Sequence, residues 1–526
     1  MAGGARLGSF RHALFAAWLA LLVLPAVTVF YWRDPHHLLT AAVALGCFAL
    51  LWVVFGARWF FVVTYPFALV SVLAIGAEAL RHVDLLELAL FAGRVDLREA
   101  DRALSPYYLT IAAVALVLAV LAALGFRRPA RHPSRRARAA ASALIVLPGI
   151  AMGFARPALL LRAWPVNVAS AGLAFATRSP YFATAAVPWA PTSPRSRQAS
   201  WAASRDAAPA RRETYVVLIG ESIRADHLAA CGGPASLGLD PDAVVYCDVM
   251  AGASSTHVSV PLLVSRRMPG SPARVGSDAT FLRAFEEAGF RTYWLSAQDE
   301  SIAWPDAQVS RYVVPRSTDR RDLLPLLREA LADPAPKKAI VIHSYDAHFP
   351  YCERFDPRDA PFPVDCRKVG AIPQGGERRD WIAAYDDAVA ETVRYIDAVI
   401  AQLSDPDGEA FVAYTPDHGE NLLDDGRGLY FHALREPTRY DTRVPMVFWA
   451  NSTWRAAHPD RLRGLVAHRA VPAMQADLVP TVLGAAGIRY AEPRGEVVDL
   501  TRRAPGKRVR WVSPRPGERV DGDRLP

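Results

Sequence analysis

The chain has 526 residues, 52% of them hydrophobic, five cysteines and a formal charge of +8. It is too long for one hydrophobic core and has room for two domains or more. The positive balance does not make it a nucleic-acid binder: much of the excess sits in one arginine cluster, and no nucleic-acid motif accompanies it.

The first 160 or so residues are dominated by Ala, Leu, Val and Phe. Five uncharged stretches there approach the ~20 residues needed to cross a bilayer: Ala13–Trp32, Leu38–Ala57, Trp59–Ala77, Ala103–Phe126 and Ala139–Ala155. No A-x-A-like cleavage site follows the first, so it reads as a retained helix. Arg127, Arg128, Arg131, Arg135, Arg136 and Arg138 lie together without an acid before the fifth stretch. Positive residues stay on the cytoplasmic side, so this loop, with Arg6 and Arg11, places the N-terminus inside and everything after Arg156 outside. The expected division is a five-helix transmembrane domain over 1–156, an interfacial helix and Pro-rich linker over 157–212, an exported catalytic domain over 213–500 and a charged peripheral tail over 501–526.

Four cysteines fall in the exported part: Cys231, Cys247, Cys352 and Cys366. An even number in an oxidising compartment suggests disulfides. Short separation favours Cys231 with Cys247 and Cys352 with Cys366, although three pairings are allowed.

From Glu213 onward strand-like runs alternate with helical patterns. Strands are expected at 215–220, 291–297, 339–344, 411–415 and 444–450; helices at 279–288, 321–332, 381–403 and 473–484, each with apolar residues three or four apart. This alternation predicts an α/β domain with a mostly parallel sheet between helices.

Two of these strands end on chemistry. VVLIGESIRADH (216–227) is an apolar run that stops at Glu221, and FVAYTPDHGEN (411–421) stops at Asp417 and His418. Buried parallel strands read as continuous apolar runs, and α/β folds act beyond the strands' carboxyl ends. Glu221 reads either as a helix cap or as a metal ligand; Asp417 and His418 are ordinary zinc ligands. Between them, AGASSTHVSVPLL (251–263) reads as a helix start, and beside a metal its Thr256 hydroxyl becomes a nucleophile. His343 reads as structural, and His227 as a partner of a ligand.

GES-x-R-x-DH, Thr256 five residues before Pro261, YWLSAQ (293–298), a His-bearing turn IHSYDAHFPY (342–351), DHGE, a following histidine in GRGLYFHAL (426–434) and RVPMVFWA (443–450) occur in this order. Together they resemble the membrane-anchored phosphoethanolamine transferases of the alkaline phosphatase and sulfatase superfamily, which include the lipid A modifying enzymes. The resemblance spans roughly Tyr215 to Gly487. It implies an alkaline-phosphatase-like catalytic domain after the five helices, with Glu221, Thr256, Asp417 and His418 as a zinc site and room for a second ion. It further implies that Thr256 becomes phosphorylated, and that His348 and His432 contact the phosphoryl group. The family often brackets the nucleophile with cysteines; here those positions are Gly252 and Leu262. The Asn that commonly precedes the family's Gln is Ala297.

The same resemblance implies a monomeric, multi-pass enzyme of a bacterial inner membrane with its catalytic domain in the periplasm. It would move phosphoethanolamine from phosphatidylethanolamine, a membrane lipid, to lipid A or another envelope glycan. The alternatives are phosphoglycerol transfer to a periplasmic glucan or teichoic acid, and a sulfatase or phosphatase. A sulfatase needs Cys or Ser in a C/S-x-P-x-R context, whereas Ser259-Val260-Pro261 runs into Leu262-Leu263 without the Arg.

Overall fold

The computed structural model describes residues 13–25, 37–81, 108–126, 134–155, 164, 200–206, 211–234, 238–271, 279–298, 309–313, 319–369, 378–404, 408–434, 436–491, 497–514 and 517–526. The chain divides into two compact units, Met1–Ala190 and Pro191–Pro526. The expected interfacial helix and most of the linker lie outside the described residues.

In the first unit two described helices are long and apolar enough to cross a membrane, Ala44–Leu73 and Tyr108–Phe126, where five were expected. The second and third expected stretches occur as two helices within His37–Arg81, parted at Gly56 by φ 77° and ψ 163°. Hydropathy alone marks two stretches there; the backbone turns sharply at Gly56, a conformation that glycine adopts at no steric cost. The first stretch is represented by a shorter apolar helix, Ala13–Pro25. The fifth belongs to Arg135–Ala155, whose first turn carries Arg135, Arg136 and Arg138. Trp18, Leu22, Phe48, Phe60, Phe61 and Leu118 form the core of this unit. The Trp18 indole N–H donates to Thr64 Oγ1 at 2.9 Å, leaving no polar edge bare inside.

The second unit is built on an eight-stranded sheet. Its strands are β1 (Arg212–Gly220), β2 (Val244–Met250), β3 (Arg291–Ser296), β4 (Arg311–Val313), β5 (Lys337–His343), β6 (Gly408–Pro416), β9 (Arg443–Ala450) and β10 (Ala473–Met474), in the order β10-β2-β9-β6-β1-β5-β3-β4. Two short strands, β7 (Asn421–Leu422) and β8 (Tyr430–Phe431), form a separate ribbon. In the large sheet β9 runs antiparallel to both neighbours and the other pairings are parallel. The α/β expectation and all five expected strands are therefore met; β2, β4 and β10 were not anticipated.

The sheet is covered on both faces because β1 is apolar on both. Tyr215, Val217 and Ile219 enter one core with Phe281, Phe285, Leu478 and Val482. Val216 and Leu218 enter the opposite core with Leu323, Leu327, Ile396 and Val399. Strand side chains alternate between faces, so a central strand buried on both sides needs an unbroken apolar run.

Two disulfides close local loops, Cys231–Cys247 and Cys352–Cys366, across 16 and 14 residues. The pairing favoured by separation is the one present. A hairpin of β11 (Trp511–Val512) and β12 (Val520–Asp521) follows the sheet, with Val512 buried against Met250 and Met474.

A loop of this length closed by a disulfide gains about 3 kcal/mol from the restricted unfolded chain. Replacing Cys352 and Cys366 together with alanine is expected to lower the thermal midpoint of the catalytic unit by several degrees in scanning fluorimetry. An unchanged midpoint would show that the bridge carries no stability.

Candidate active site

β1 and β6 are parallel neighbours in a register that sets Gly220 opposite Pro416. The residues that come directly after these two strand ends are Glu221 on one side and Asp417 and His418 on the other. The Asp417 amide donates to Gly220 O at 3.0 Å, tying the two ends together. Gly419 is required next: a Cβ there would collide with the Tyr440 carbonyl. Thr256 opens the helix Thr256–Val264.

These elements bring four side chains together. Thr256 Oγ1 lies 3.2 Å from Glu221 Oε1 and 3.1 Å from His418 Nε2. His418 Nε2 is 3.3 Å from both Glu221 Oε1 and Asp417 Oδ2. All four residues are buried. The spacing suits a small cation: four ligands ~2.1 Å from a zinc ion, at tetrahedral angles, stand about 3.4 Å apart.

Two further observations fit the same group. His418 Nδ1 is 2.8 Å from Gly419 O, and since a carbonyl only accepts, Nδ1 carries the proton. With a cation in the cluster the ring would be neutral and present Nε2 as a lone pair, the arrangement of metal-bound histidines. Asp417 Oδ2 is buried with no hydrogen-bond partner among the described residues, which is costly unless a cation faces it. The Glu221, Asp417 and His418 ligand atoms lie within 4.8 Å of one another.

The electrostatics express the same shortage of positive charge. Burial and the neighbouring Glu221 both push Asp417 upward from the usual carboxylate range. Burial also opposes the charged form of Glu221, but His418, His348 and His432 outweigh it and hold Glu221 low. For His418, burial disfavours the cation; Asp417 and Glu221 overcome that and push it up to about 10.

His348 and His432 stand beside this cluster at its half-buried edge. Their ring centroids are 5.6 Å apart, and His432 lies 4.1 Å from His418. Glu221, His348 and His432 form a second set of ligand atoms within 4.8 Å. His348 Nδ1 donates to Phe349 O at 2.7 Å, and His432 Nδ1 is 3.0 Å from Glu420 Oε2.

Several supporting residues carried no assignment from sequence. Gln298 Nε2 donates to Glu221 Oε2 at 2.8 Å, and the Ser222 hydroxyl donates to Glu221 Oε1 at 3.1 Å. Glu420, buried behind His432, belongs to the DHGE motif but has no periodic signature. Ser222, Phe431 and Ala433 have φ of 59°, 65° and 55°, left-handed values that cost non-glycine residues about 1–2 kcal/mol each. They flank Glu221 and His432, so strain is held where side chains must be aimed. His227 contacts Asp386 at 2.6 Å rather than a member of the cluster. Gly252 and Leu262, where the resemblance expects cysteines, are adjacent: a Cβ on Gly252 would lie 3.5 Å from Leu262 Cβ.

The fold and this cluster define a class: an α/β domain that gathers acids, an imidazole and a hydroxyl at the carboxyl edge of its sheet. The chain belongs to the sulfatase family, whose profile matches residues 213–488. The Kdo(2)-lipid A phosphoethanolamine 7''-transferase of Salmonella typhimurium is 24% identical over 316 residues, 54% of this chain and 53% of its own. The C-terminal periplasmic domain of EptC from Escherichia coli, in complex with Zn, superposes with a TM-score of 0.52 at 21% identity, covering 62% of this chain and 96% of that one. The integral membrane lipooligosaccharide phosphoethanolamine transferase A of Neisseria meningitidis gives 0.61 at 19% identity over 89% and 95%. At these identities the superpositions establish a shared fold. The chain spans about half the length of the curated relatives it matches, from 43% to 53%.

His343 lies in β5, fully buried, with neither ring nitrogen hydrogen-bonded among the described residues. Burial pushes it down to about 4, whereas the unfolded ring titrates near ~6.5. The unfolded state therefore binds the proton first, so stability is complete above about pH 6.5 and falls as pH drops toward 4. His343→Leu is expected to preserve stability at neutral pH and reduce the acid-side loss by up to about 3 kcal/mol. An unaltered pH–stability curve would overturn this.

Proposed function

We propose that the chain transfers phosphoethanolamine from phosphatidylethanolamine to lipid A or another envelope glycan through a phosphorylated Thr256. The observation that carries this reading is the approach of Thr256 Oγ1 to both Glu221 and His418. The names of the relatives support the phosphoethanolamine class of substrate. The nearby Ser259 is a weaker nucleophile candidate, since its hydroxyl is turned to Asp417 O at 2.5 Å.

Glu221, Asp417, His418 and Thr256 would hold one zinc ion, and Glu221, His348 and His432 leave room for a second. Zinc supplies Lewis-acid stabilisation of phosphoryl oxygens and lowers the pKa of a coordinated hydroxyl. Thr256 occupies the first turn of its helix, where the backbone dipole favours negative charge on Oγ1. In the first step the Thr256 hydroxyl passes its proton to Glu221 Oε1, its acceptor at 3.2 Å, Oγ1 bonds to phosphorus and the bond to the diacylglycerol oxygen breaks. That oxygen takes up a proton, for which His348 and His432 are the placed donors. In the second step an acceptor oxygen bonds to phosphorus, a hydroxyl there passing its proton to His348 or His432, and Thr256 Oγ1 leaves and takes back the proton from Glu221. His348 and His432 also face the charge that develops on the transferring oxygens.

The N-terminal apolar helices serve as a membrane anchor, with the catalytic unit on the periplasmic side and one chain sufficing for the site. The two disulfides in the catalytic unit suit that oxidising compartment. A lipid donor suits an anchored enzyme, because tethering raises its effective concentration at the site.

Incubation of the purified full chain with phosphatidylethanolamine is expected to give a phosphoethanolamine adduct by intact mass. Thr256→Ala should abolish it and lower transfer by about three orders of magnitude or more. Release of phosphate without an adduct, at an unchanged rate in Thr256→Ala, would sink the transferase reading. Chelation is expected to remove activity and added zinc to restore it; full activity after verified metal removal would refute the zinc assignment.

A further inference from the structure

The loop that delivers Thr256, residues 251–255, is Ala-Gly-Ala-Ser-Ser. These side chains are buried but small, so hydrogen bonds from elsewhere add to what fixes its path. The Ala251 amide donates to Thr442 O at 2.8 Å and the Gly252 amide to Gln475 Oε1 at 3.0 Å. The Ala433 amide, next to His432, donates to Ser254 O at 2.8 Å. The Ser513 amide donates to Gly252 O at 2.8 Å, and Ala253 and Ser513 form a parallel bridge.

Ser513 is itself firmly seated. Val512 beside it is fully buried with Met250 and Met474. Ser513 Oγ accepts from the Gly270 amide at 2.8 Å. Arg510 holds Asp248 Oδ1 at 2.6 Å and Asp523 Oδ1 at 2.5 Å, and Arg443 reaches the same two carboxylates. The hairpin β11–β12 thus joins the end of β2 to the loop that follows it.

We propose that this hairpin is a positioning device for the nucleophile: Ser513, anchored by Val512 and Arg510, holds loop 251–255 so that Thr256 Oγ1 meets Glu221 and His418. The inference rests on the reading of Thr256 as nucleophile. A displacement of about 1 Å in a reacting group can cost on the order of a hundredfold in rate, so a loop of small side chains gains from such a support. The hairpin acts through the loop, by way of the contact of Ser513 with Gly252 and Ala253.

The test is Ser513→Pro in the full chain, which removes the N–H bonded to Gly252 O. Hydrogen exchange at residues 251–255 should accelerate about tenfold or more, and kcat should fall by about tenfold or more with KM for the lipid donor little changed. Adding Gly252→Cys and Leu262→Cys supplies a covalent brace, since a Cβ separation of 3.5 Å lies within the range disulfides span. The oxidised brace should restore kcat, and reduction should remove the gain beyond any effect on Ser513→Pro alone.

Asp523→Asn, at a half-exposed carboxylate, loosens the seat without altering the backbone and reads the same two quantities if the proline variant does not fold. Unchanged exchange at 251–255 in the variant that folds overturns the proposal. So does faster exchange with wild-type kcat, or failure of the oxidised brace to restore kcat in a folded Ser513→Pro. Wild-type activity in Thr256→Ala, run alongside, would instead overturn the nucleophile assignment while leaving the exchange result to judge the hairpin.

Discussion

Two carboxylates, Glu221 and Asp417, are buried side by side at the ends of adjacent parallel strands, and much of the surrounding architecture answers that arrangement. A buried carboxylate without compensation is expensive, and a second one nearby raises the cost further. The protein's answer is partial. Gln298 and Ser222 donate to Glu221, the His418 amide donates to Asp417, and the His418 ring stands between the two acids. One Asp417 oxygen is still without a donor among the described residues. A site whose own donors stop short of neutralising its acids is a site shaped for a cation, and a hydroxyl held against that gap is a hydroxyl poised for activation.

The parallel sheet is what makes this arrangement reproducible. Neighbouring parallel strands bring their carboxyl ends to the same edge, so Glu221 and Asp417 meet although 195 residues separate Ser222 from Asp417. β5 lies on the other side of β1 and sends the turn containing His348 to that edge. β3 lies beyond it and ends just before Gln298. Strand order therefore determines which side chains can become neighbours, and the short connections adjust their aim. The positive φ values at Ser222, Phe431 and Ala433 belong to that adjustment.

The parts legible in the sequence share one property: they are set by long apolar runs. β1, β5, β6 and β9 are continuous because both faces are covered, and the parallel runs β1 and β6 stop where the chemistry begins. β2 was illegible because Cys247 and Asp248 interrupt its second half, while β4 and β10 are too short to show a period. Gln298, Ser222 and Glu420 are single polar residues after strands. They lie within the motifs GES, YWLSAQ and DHGE, but their roles show only when the sheet register places them beside Glu221 or His432. In the first unit, hydropathy parts the second and third stretches at Arg58, beside the turn at Gly56.

Composition misleads most where polar segments do apolar work. The stretch after Val498 is charged and Pro-rich, yet Val512 is fully buried, and the arginines at 443 and 510 share Asp248 and Asp523 instead of facing solvent alone. Thr256 shows why this matters for a reader of sequences. Its motif is local, but its loop is held by Ala433, Thr442, Gln475 and Ser513, drawn from widely separated parts of the fold. Such contacts form only after large loops have closed, and closure entropy must be overcome before they contribute. The reactive geometry at Thr256 is therefore a property of the completed sheet and its late-sequence supports, which a motif alone does not encode.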